Sequence, residues 1–404
     1  METLTRPDEL RKHQQVLKAM DKERASWFTH WRDISDYFLP RRYPWLRSQA
    51  ENKTTNRRNS KLLSSTSTMA IRTLASGMMN GVTSPARKWF SLRIPGFEYE
   101  TMTHEARVYL EEIERRMLLV MAESNFYNSI ALLYLEWCAF GTGSMSIEED
   151  FDEVIRCYNY PLGEFYISCD DSGRVNRHGR RFTRTAEQLV SQFGEDRVSH
   201  KVKEDFKVGG ARLFNTYEVA HIVERTPASE AKTMPAKWRS VYWQTDTTEV
   251  KYLSISPVYE WPHVTPRWEI LGNDSYGTSP AMDALADTIQ LQAMLLERGE
   301  GLAKMMSPPL IVDQQLRNRP KALGANGITY APTYNSNFGA KEAYKVNPPL
   351  QAIAQDINDL KISIRETCHN PLFNMISQLD TVRSATEIDA RREEKLIHLG
   401  PVLE

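Results

Sequence analysis

The sequence predicts an α+β fold that is mostly helical, and three observations carry that reading. Apolar residues recur at helical spacing through most of residues 5–140, the period shifts toward two between 144 and 261, and helical spacing returns after Pro280. The chain has 404 residues, enough for two or three ordinary domains around a large core. Its 51 Lys and Arg against 52 Asp and Glu leave a formal charge of −1. A protein that grips nucleic acid through phosphates carries a clear basic excess, so tight wrapping of DNA by the whole chain is excluded.

The elements follow in order. Thr5, Pro7 and Asp8 form a capping-box pattern that opens a helix with an apolar stripe at Leu10, Leu17, Met20, Trp27, Trp31, Ile34 and Phe38; Pro40 stops it. A basic loop follows, in which Arg41, Arg42, Arg47, Lys53, Arg57, Arg58 and Lys61 face only Glu51. It reads either as a solvated loop or as a contact with acidic protein or phosphate. A second helix is expected over 60–80, ended by Gly81 and Ser84-Pro85, and two more over 103–123 and 126–140, ended by Gly141 and Gly143. The most apolar stretch, 118–140, is broken by Glu123, Asn125, Asn128 and Glu136 and reads as buried helix, not a membrane span.

From Ser144 the segments SMSIEED, VIRCYNY and EFYIS read as strands, CDDSG as a turn and RVNRHGRRFTRT as the returning strand. Thr185 and Gln188 offer a capping box for the short helix TAEQLVSQFG. TYEVAHIVERT, SVYWQTD and VKYLSISPVYEW extend a mostly antiparallel sheet. A long helix is expected over 280–306, with Gly299 and Gly301 as points of bending. Residues 307–350 form a Pro/Gly/Asn-rich insert with two strand-like runs, LIVD and GITYA. Helix resumes over 350–368 and stops at Asn370-Pro371; a loop and a last polar helix from Ser384 complete the chain.

Catalytic signatures are mostly absent. There is no P-loop, no G-x-S-x-G and no H-E-x-x-H, and Gly141-Thr142-Gly143 follows a helix instead of a strand and lacks the third glycine of a dinucleotide fingerprint. Asp170-Asp171 sits before Ser172-Gly173 and reads as a hairpin turn ahead of a paired-carboxylate metal site. Nothing asks for a cofactor. The four cysteines form no C-x-x-C pair, which fits buried thiols in a reduced compartment. The charged N-terminus has no apolar stretch of the signal-peptide kind.

The informative feature is the helix–insert–helix unit. On the second helix Ile353, Ile357, Leu360 and Ile364 share one stripe; Asp356, Asp359 and Glu366 fall on a second, acidic face; Lys361 and Arg365 fall on a third, basic face. Such a helix suits either an ordinary amphipathic role or a crowded ring, where opposite charges meet between neighbours.

Several segments resemble the podovirus-type head-to-tail connector (portal) family. They are LASGMMNGVTSPARKWFSL (74–92), the Trp31, Ile34, Tyr37, Pro40, Arg41, Arg42 pattern, SNFY, FGTGSMSIEED, YGTSPAMDAL, SPP and SATEIDARREEKLIHLGP, in the family's order and across nearly the whole chain. The resemblance implies a ring of about twelve copies at one capsid vertex, with 1–279 as wing, 280–306 and 351–370 as the two stem helices and 307–350 as a small clip. It implies a tunnel loop at 371–383, and 384–404 as the start of a C-terminal wing or crown helix. By position, Asn374, Gln378 and Arg383 of the tunnel loop would face DNA, and Arg317, Arg319 and Lys321 of the clip would dock partners. Those partners would be other copies of the chain, the terminase packaging motor, a tail adaptor, the major capsid protein and scaffolding or internal core proteins, with double-stranded DNA passing through and no membrane. The location would be the virion, and the host cytoplasm during assembly. Family members usually continue into a crown beyond the point where this sequence stops, at Glu404, so no crown residues are present to read.

A size argument is independent of the motifs. Twelve inner helices packed about 10 Å apart make a circle roughly 38 Å across. Subtracting one helix diameter leaves a lumen of roughly 28 Å, wide enough for a duplex with a water layer, whereas eight copies would leave about 15 Å. The competing expectations are a head completion adaptor or internal core protein, which has no need of the long stem–clip–stem unit, and a metal-dependent nuclease or hydrolase using Asp170, Asp171 and scattered histidines.

Overall fold

The computed structural model describes residues 6–40, 62–96, 102–227, 236–308, 310–313, 328–331, 341–342 and 349–374. Two helices open the chain, α1 (Pro7–Ala25) and α2 (Phe28–Tyr37), where the apolar stripe predicts one. Ser26 Oγ donates to the carbonyl of Glu23 at 2.8 Å, a local bond that competes with the helix ladder at the break. The break sends the stripe to two cores: Leu10, Leu17 and Met20 pack on a sheet, while Trp31, Ile34 and Phe38 enter the main helical core. The N-cap is Arg6 with no side-chain cap, so the expected capping by Thr5 is corrected; Pro7 does occupy the first turn.

The second helix, α3, runs Thr66–Val82, later at its start than the expected 60–80 and through Gly81 instead of ending there. Its register is set by Ser67 and Thr68, whose hydroxyls donate to the carbonyls of Tyr37 and Phe38 at 2.6 and 2.8 Å and so satisfy the open end of α2. Next come α4 (His104–Glu123), capped by Thr103, and α5 (Phe126–Phe140), which ends on Gly141 at φ +74°. The apolar stretch 118–140 is two helices with a turn at Ser124-Asn125: the 126–140 half is mostly buried as expected, whereas 118–123, at the end of α4, is half-buried or exposed, with Leu119 48 % exposed. Among the described residues no helix is long and apolar enough to cross a membrane.

Two antiparallel sheets follow. β1 (Met145–Asp150) pairs with β2 (Val154–Asn159) and with β8 (His263–Val264). The larger sheet is a meander of β3 (Phe165–Cys169), β4 (Val175–Thr185), β5 (Thr216–Arg225), β6 (Trp238–Gln244) and β7 (Tyr252–Val258). The capping box at Thr185 and Gln188 opens α6 (Ala186–Phe193) as expected. Two short helices that the sequence reading did not include, α7 (His200–Lys207) and α8 (Gly209–Phe214), lie between α6 and β5.

Alternation along the strands builds a core on each face of the meander. Ala220, Ile222, Val241, Trp243 and Tyr252 meet α1. Phe182, Val219 and Leu253 meet α6 and α7 through Leu189, Phe193 and Val202.

The helix expected over 280–306 begins with a separate turn, α9 (Pro280–Asp283), and continues after Ala284 as α10 (Leu285–Met306), which runs through Gly299 and Gly301. At 22 residues it is about 33 Å long. In the insert, β9 (Leu310–Asp313) pairs with β10 (Ile328–Ala331) in parallel and with β11 (Lys341–Glu342) in antiparallel fashion, so LIVD and GITYA are both strands. α11 spans Leu350–Thr367, and α12 (Asn370–Asn374) follows a turn in which His369 has φ +53°. Asn370-Pro371 therefore opens a short helix instead of a loop.

A buried charge network fastens α1 to the meander. Glu224 accepts from Arg239 at 2.7 Å, from His13 at 2.9 Å and from Arg177 at 3.2 Å, while Arg239 also bonds Glu9 and His13 Nδ1 meets the Tyr252 hydroxyl at 2.8 Å. At the other end of α1, Arg24 donates to the carbonyls of Gly163 and Phe165 and lies 3.9 Å over the ring of Tyr166. Burial raises the Glu224 carboxyl, and the bonds from His13 and Arg239 outweigh it, holding it down at about 2.

Arg239→Met is expected to destabilise the protein by about 3–5 kcal/mol in chemical denaturation, because Glu224 and Glu9 lose the buried cation they share and are left with the more exposed Arg177 and Arg6. Since the folded value of Glu224 lies below its unfolded one, its contribution is full above pH ~4.5 and is lost as pH falls toward 2, amounting to about 3 kcal/mol. Glu224→Gln should remove that part of the acid dependence in pH-resolved melts.

Candidate functional site

The residues singled out by the sequence converge on the α10–α11 unit and its root. Asp287, near the start of α10, accepts from Ser363 Oγ, near the end of α11, at 2.6 Å, so the two helices lie antiparallel. Leu291, Ile357 and Ile364 are buried with Cys368 in the main core, and Ile353 and Leu360 pack at its edge. The apolar stripe of α11 thus faces the body of the subunit. Gln292, 5 % exposed, ties α10 to the chain ahead of α3: its carbonyl accepts from the amides of Leu63 and Ser64 at 2.7 and 3.0 Å, and its amide donates to Ser64 at 3.3 Å.

The outward side of the pair is different. Ile289 and Leu296, seven residues apart on one face of α10, are 41 % and 54 % exposed, and Ile362, away from the buried stripe of α11, is 50 % exposed. Asp356, Asp359, Glu366 and Arg365 are exposed and Lys361 is half-buried. Arg365 borders a groove of about 340 Å³ shared with Ser65, Thr66, Met69 and Thr73 at the start of α3 and with Asn370 of α12.

The root of the unit is a contact between two motif segments far apart in sequence. Gly141 and Gly277 pack backbone to backbone: a Cβ on Gly277 would stand 2.7 Å from the Gly141 carbonyl and 2.9 Å from the Trp268 amide, and one on Gly141 would strike the carbonyls of Gly277 and Thr278. Around them the Trp268 amide donates to Gly141 at 2.8 Å, the Gly277 amide to Thr142 Oγ1 at 2.9 Å, and Ser279 Oγ to Ala139 at 2.8 Å. The same Ser279 hydroxyl caps α9 by accepting from the Met282 amide at 3.3 Å. The end of α5 therefore fixes the start of the α9–α10 segment. A second seat lies where the chain leaves α11: a Cβ on Gly77 of α3 would stand within 2.7 Å of ring carbons of Phe373 on α12, too close for both to keep their places.

Other expected positions fall elsewhere. Asn374 is the last residue of α12 instead of part of a loop; Gln378 and Arg383 lie outside the described residues, as do Arg317, Arg319 and Lys321, the basic loop and the helix from Ser384. Asp170 accepts from the Ser172 hydroxyl at 2.7 Å and the amides of Ser172 and Arg174 at 3.0 and 2.9 Å, so it is a turn residue; these bonds hold its carboxyl low. Asp171 follows it in the same turn. Among the described residues no group of three or more His, Cys, Asp or Glu is arranged to hold a metal ion. FGTGSMSIEED and YGTSPAMDAL are separate segments in the sequence, and their glycines are the available signal that two backbones meet there.

Two outcomes follow from these seats. Gly277→Ala should destabilise by about 3 kcal/mol or more, because the added methyl meets backbone that has no rotamer to move. Gly77→Ala should cost about 1–3 kcal/mol in the native background. In a Phe373→Ala background the same change should turn stabilising, since alanine is the better helix former by about 1 kcal/mol. A denaturation double-mutant cycle checks that change of sign.

The chain matches the family described as bacteriophage head to tail connecting protein over residues 10–404. It is 36 % identical over 389 residues to a probable portal protein of Bordetella phage BPP-1, covering 95 % of this chain and 69 % of that one. It is 35 % identical over 395 residues to the portal protein of Salmonella phage epsilon15, covering 96 % and 70 %. A match over almost its entire length, from α1 through the rooted helix pair, places this chain in the bacteriophage head-to-tail connecting protein family, as a portal subunit.

Proposed function

We propose that copies of this chain close into a ring at one capsid vertex, forming the conduit through which double-stranded DNA is packaged and later ejected. The observation that carries this reading is the antiparallel pair α10–α11. Its inner side is rooted in the subunit body, while Ile289, Leu296 and Ile362 leave apolar surface uncovered beside mixed charge. In a ring each copy meets the next through two different surfaces, and such a row of apolar side chains between charged ones is what a neighbouring helix pair would cover.

In this reading residues 1–279 form the wing, 280–306 and 351–370 the stem, 307–350 the clip, 371–383 the tunnel segment, which begins with the rest of the short helix α12 and not with a loop, and 384–404 the start of a C-terminal wing or crown helix. Asp356, Asp359 and Glu366 of one copy meet Lys361 and Arg365 of the next. Asn374, Gln378 and Arg383 face the DNA, and Arg317, Arg319 and Lys321 receive the packaging motor and then the tail adaptor. The major capsid protein and scaffolding or core proteins hold the wing. Assembly takes place in the host cytoplasm and the product resides in the virion. A near-neutral chain with acidic residues on its stem lets DNA pass without holding it, since phosphate contacts by many cations would make binding strong and salt-dependent. The role is structural, and ATP-driven work belongs to a separate motor.

Negative-stain images and native mass of the purified chain test the reading; the expected result is a ring of about twelve copies with a central hole, as helix spacing requires for a duplex. A stable monomer would sink it. Leu296→Asp with Ile289→Asp should shift the ring toward monomers while leaving the far-UV spectrum unchanged. Rings should bind linear duplex weakly at physiological salt; nanomolar affinity there would contradict passage without grip, and ATP turnover by the purified chain would contradict the separate motor.

A further inference from the structure

Three histidines meet in the interior where the small sheet crosses the meander, and nothing in the conduit reading uses them. His178 on β4, His221 on β5 and His263 on β8 are 0 %, 3 % and 5 % exposed. The rings of His178 and His263 stack with centroids 3.8 Å apart at 17°, and His221 stacks on Tyr242 of β6 at 3.9 Å. His178 Nε2 meets Ser144 Oγ at 2.8 Å and His221 Nε2 meets Ser240 Oγ at 2.9 Å. The Nδ1 atoms of His178 and His221 and both nitrogens of His263 are buried with no hydrogen-bond partner among the described residues.

The charged and titratable groups around the cluster come from every element packed on it. Arg180 of β4 lies 4.4 Å over the Tyr160 ring and 4.0 Å over Phe182, and its guanidinium is paired with Glu164 at 3.2 Å. Arg184 lies beyond it on β4, 4.7 Å over Phe182. Glu148 of β1 is exposed and accepts from Ser146, whose hydroxyl also meets Tyr160 at 2.6 Å. Arg180 and Glu164 already neutralise one another, so a proton on any of the three imidazoles would add a charge that has no counter-ion beside it.

We propose that His178, His221 and His263 form an acid-sensitive latch that holds β8 and the β1–β2 ribbon against the meander and releases them when the imidazoles take up protons. β8 is where the two sheets meet. Its ladder with β1, Met145 with Val264 and Ser146 with His263, extended by the Ile147 amide to Pro262 and the Gly143 amide to Pro266, holds it to the small sheet, while the stack of His263 on His178 joins it to the meander.

Burial and the neighbouring cation Arg180 lower the proton affinity of all three rings, that of His263 to about 3. Each ring is therefore neutral when latched and charged when released below pH ~6.5, its ordinary value. The latch is at full strength above that pH and weakens as pH falls from there. Each ring contributes up to about tenfold per pH unit to the opening equilibrium, and three together up to about a thousandfold.

Hydrogen exchange on the full chain between pH 7 and 5, expressed as protection factors, tests this. Protection over 145–160 and 259–266 is expected to fall by at least about 100-fold between pH 6.5 and 5, while α10 and α11 keep theirs; the fluorescence of Trp261, 5.5 Å from His263, should change over the same range. His263→Phe keeps a ring in the stack and removes a titrating group, so the pH slope should drop by about one proton. Should that variant not fold, His221→Gln gives the same readout from the other end of the cluster, and the slope of the unmodified chain stands without either. Protection that stays flat to pH 5, a slope unchanged in the variants, or simultaneous loss in α10 and α11 would each overturn the latch.

Discussion

The arrangement of this subunit depends on two glycines that let one backbone lie directly on another. Gly141 ends α5 in a left-handed conformation, and Gly277 crosses it at a distance where neither position has room for a methyl group. With no side chains between them, the polar groups of both strands bond each other: Trp268 to Gly141, Gly277 to Thr142, Ser279 to Ala139. The long α10 departs from this crossing, so its direction relative to the helical core is set within one turn of its start. A helix about 33 Å long magnifies any error at its root, which explains why a tight backbone contact, and no flexible linker, stands there.

From that root the rest of the unit is ordered by polar groups satisfied across long sequence separations. Gln292 closes the chain ahead of α3 onto α10, Ser363 joins α11 to Asp287, and Phe373 fills the place left by Gly77. The meander is held separately, by hydrophobic layers on both faces and by the buried Glu224–Arg239–His13 network that locks α1 across one of them. The subunit therefore combines a firmly sandwiched sheet with a helix pair that is anchored on one side and open on the other. For a family member that joins head to tail, that asymmetry leaves surface for its neighbours.

Periodicity made most elements legible. The bounds of α5, β4, α11 and the two strand runs of the insert agree with the sequence reading to within a residue or two, because each is a run with one dominant period and a clear stop. The misreadings share a cause. The first helix breaks at Ser26, where a serine side chain caps early while the apolar stripe continues at nearly the same spacing into a different core. Gly81 lies inside α3, and Ala284, an excellent helix former, interrupts 280–306 because Ser279 and the Gly141 crossing fix the turn before it. Pro371 does follow the end of α11 as expected, but it sits in the first turn of α12 where a loop was expected. Short polar helices such as α7 and α8 carry too few apolar positions for a period to register.

By itself the sequence determined the α+β class, the order of helices and strands, the absence of familiar catalytic signatures, and, through motifs spread along the chain, the family. These are local or additive properties: a period, a cap or a motif is read within a few residues. Only the tertiary structure decided that FGTGS and YGTSP are halves of one crossing, that Gly77 makes room for Phe373, which side of α10 is buried, and that three scattered histidines share one interior. Each of these is a contact between residues tens to hundreds of positions apart, and side-chain spacing along a chain carries no information about what the fold will bring to lie against it.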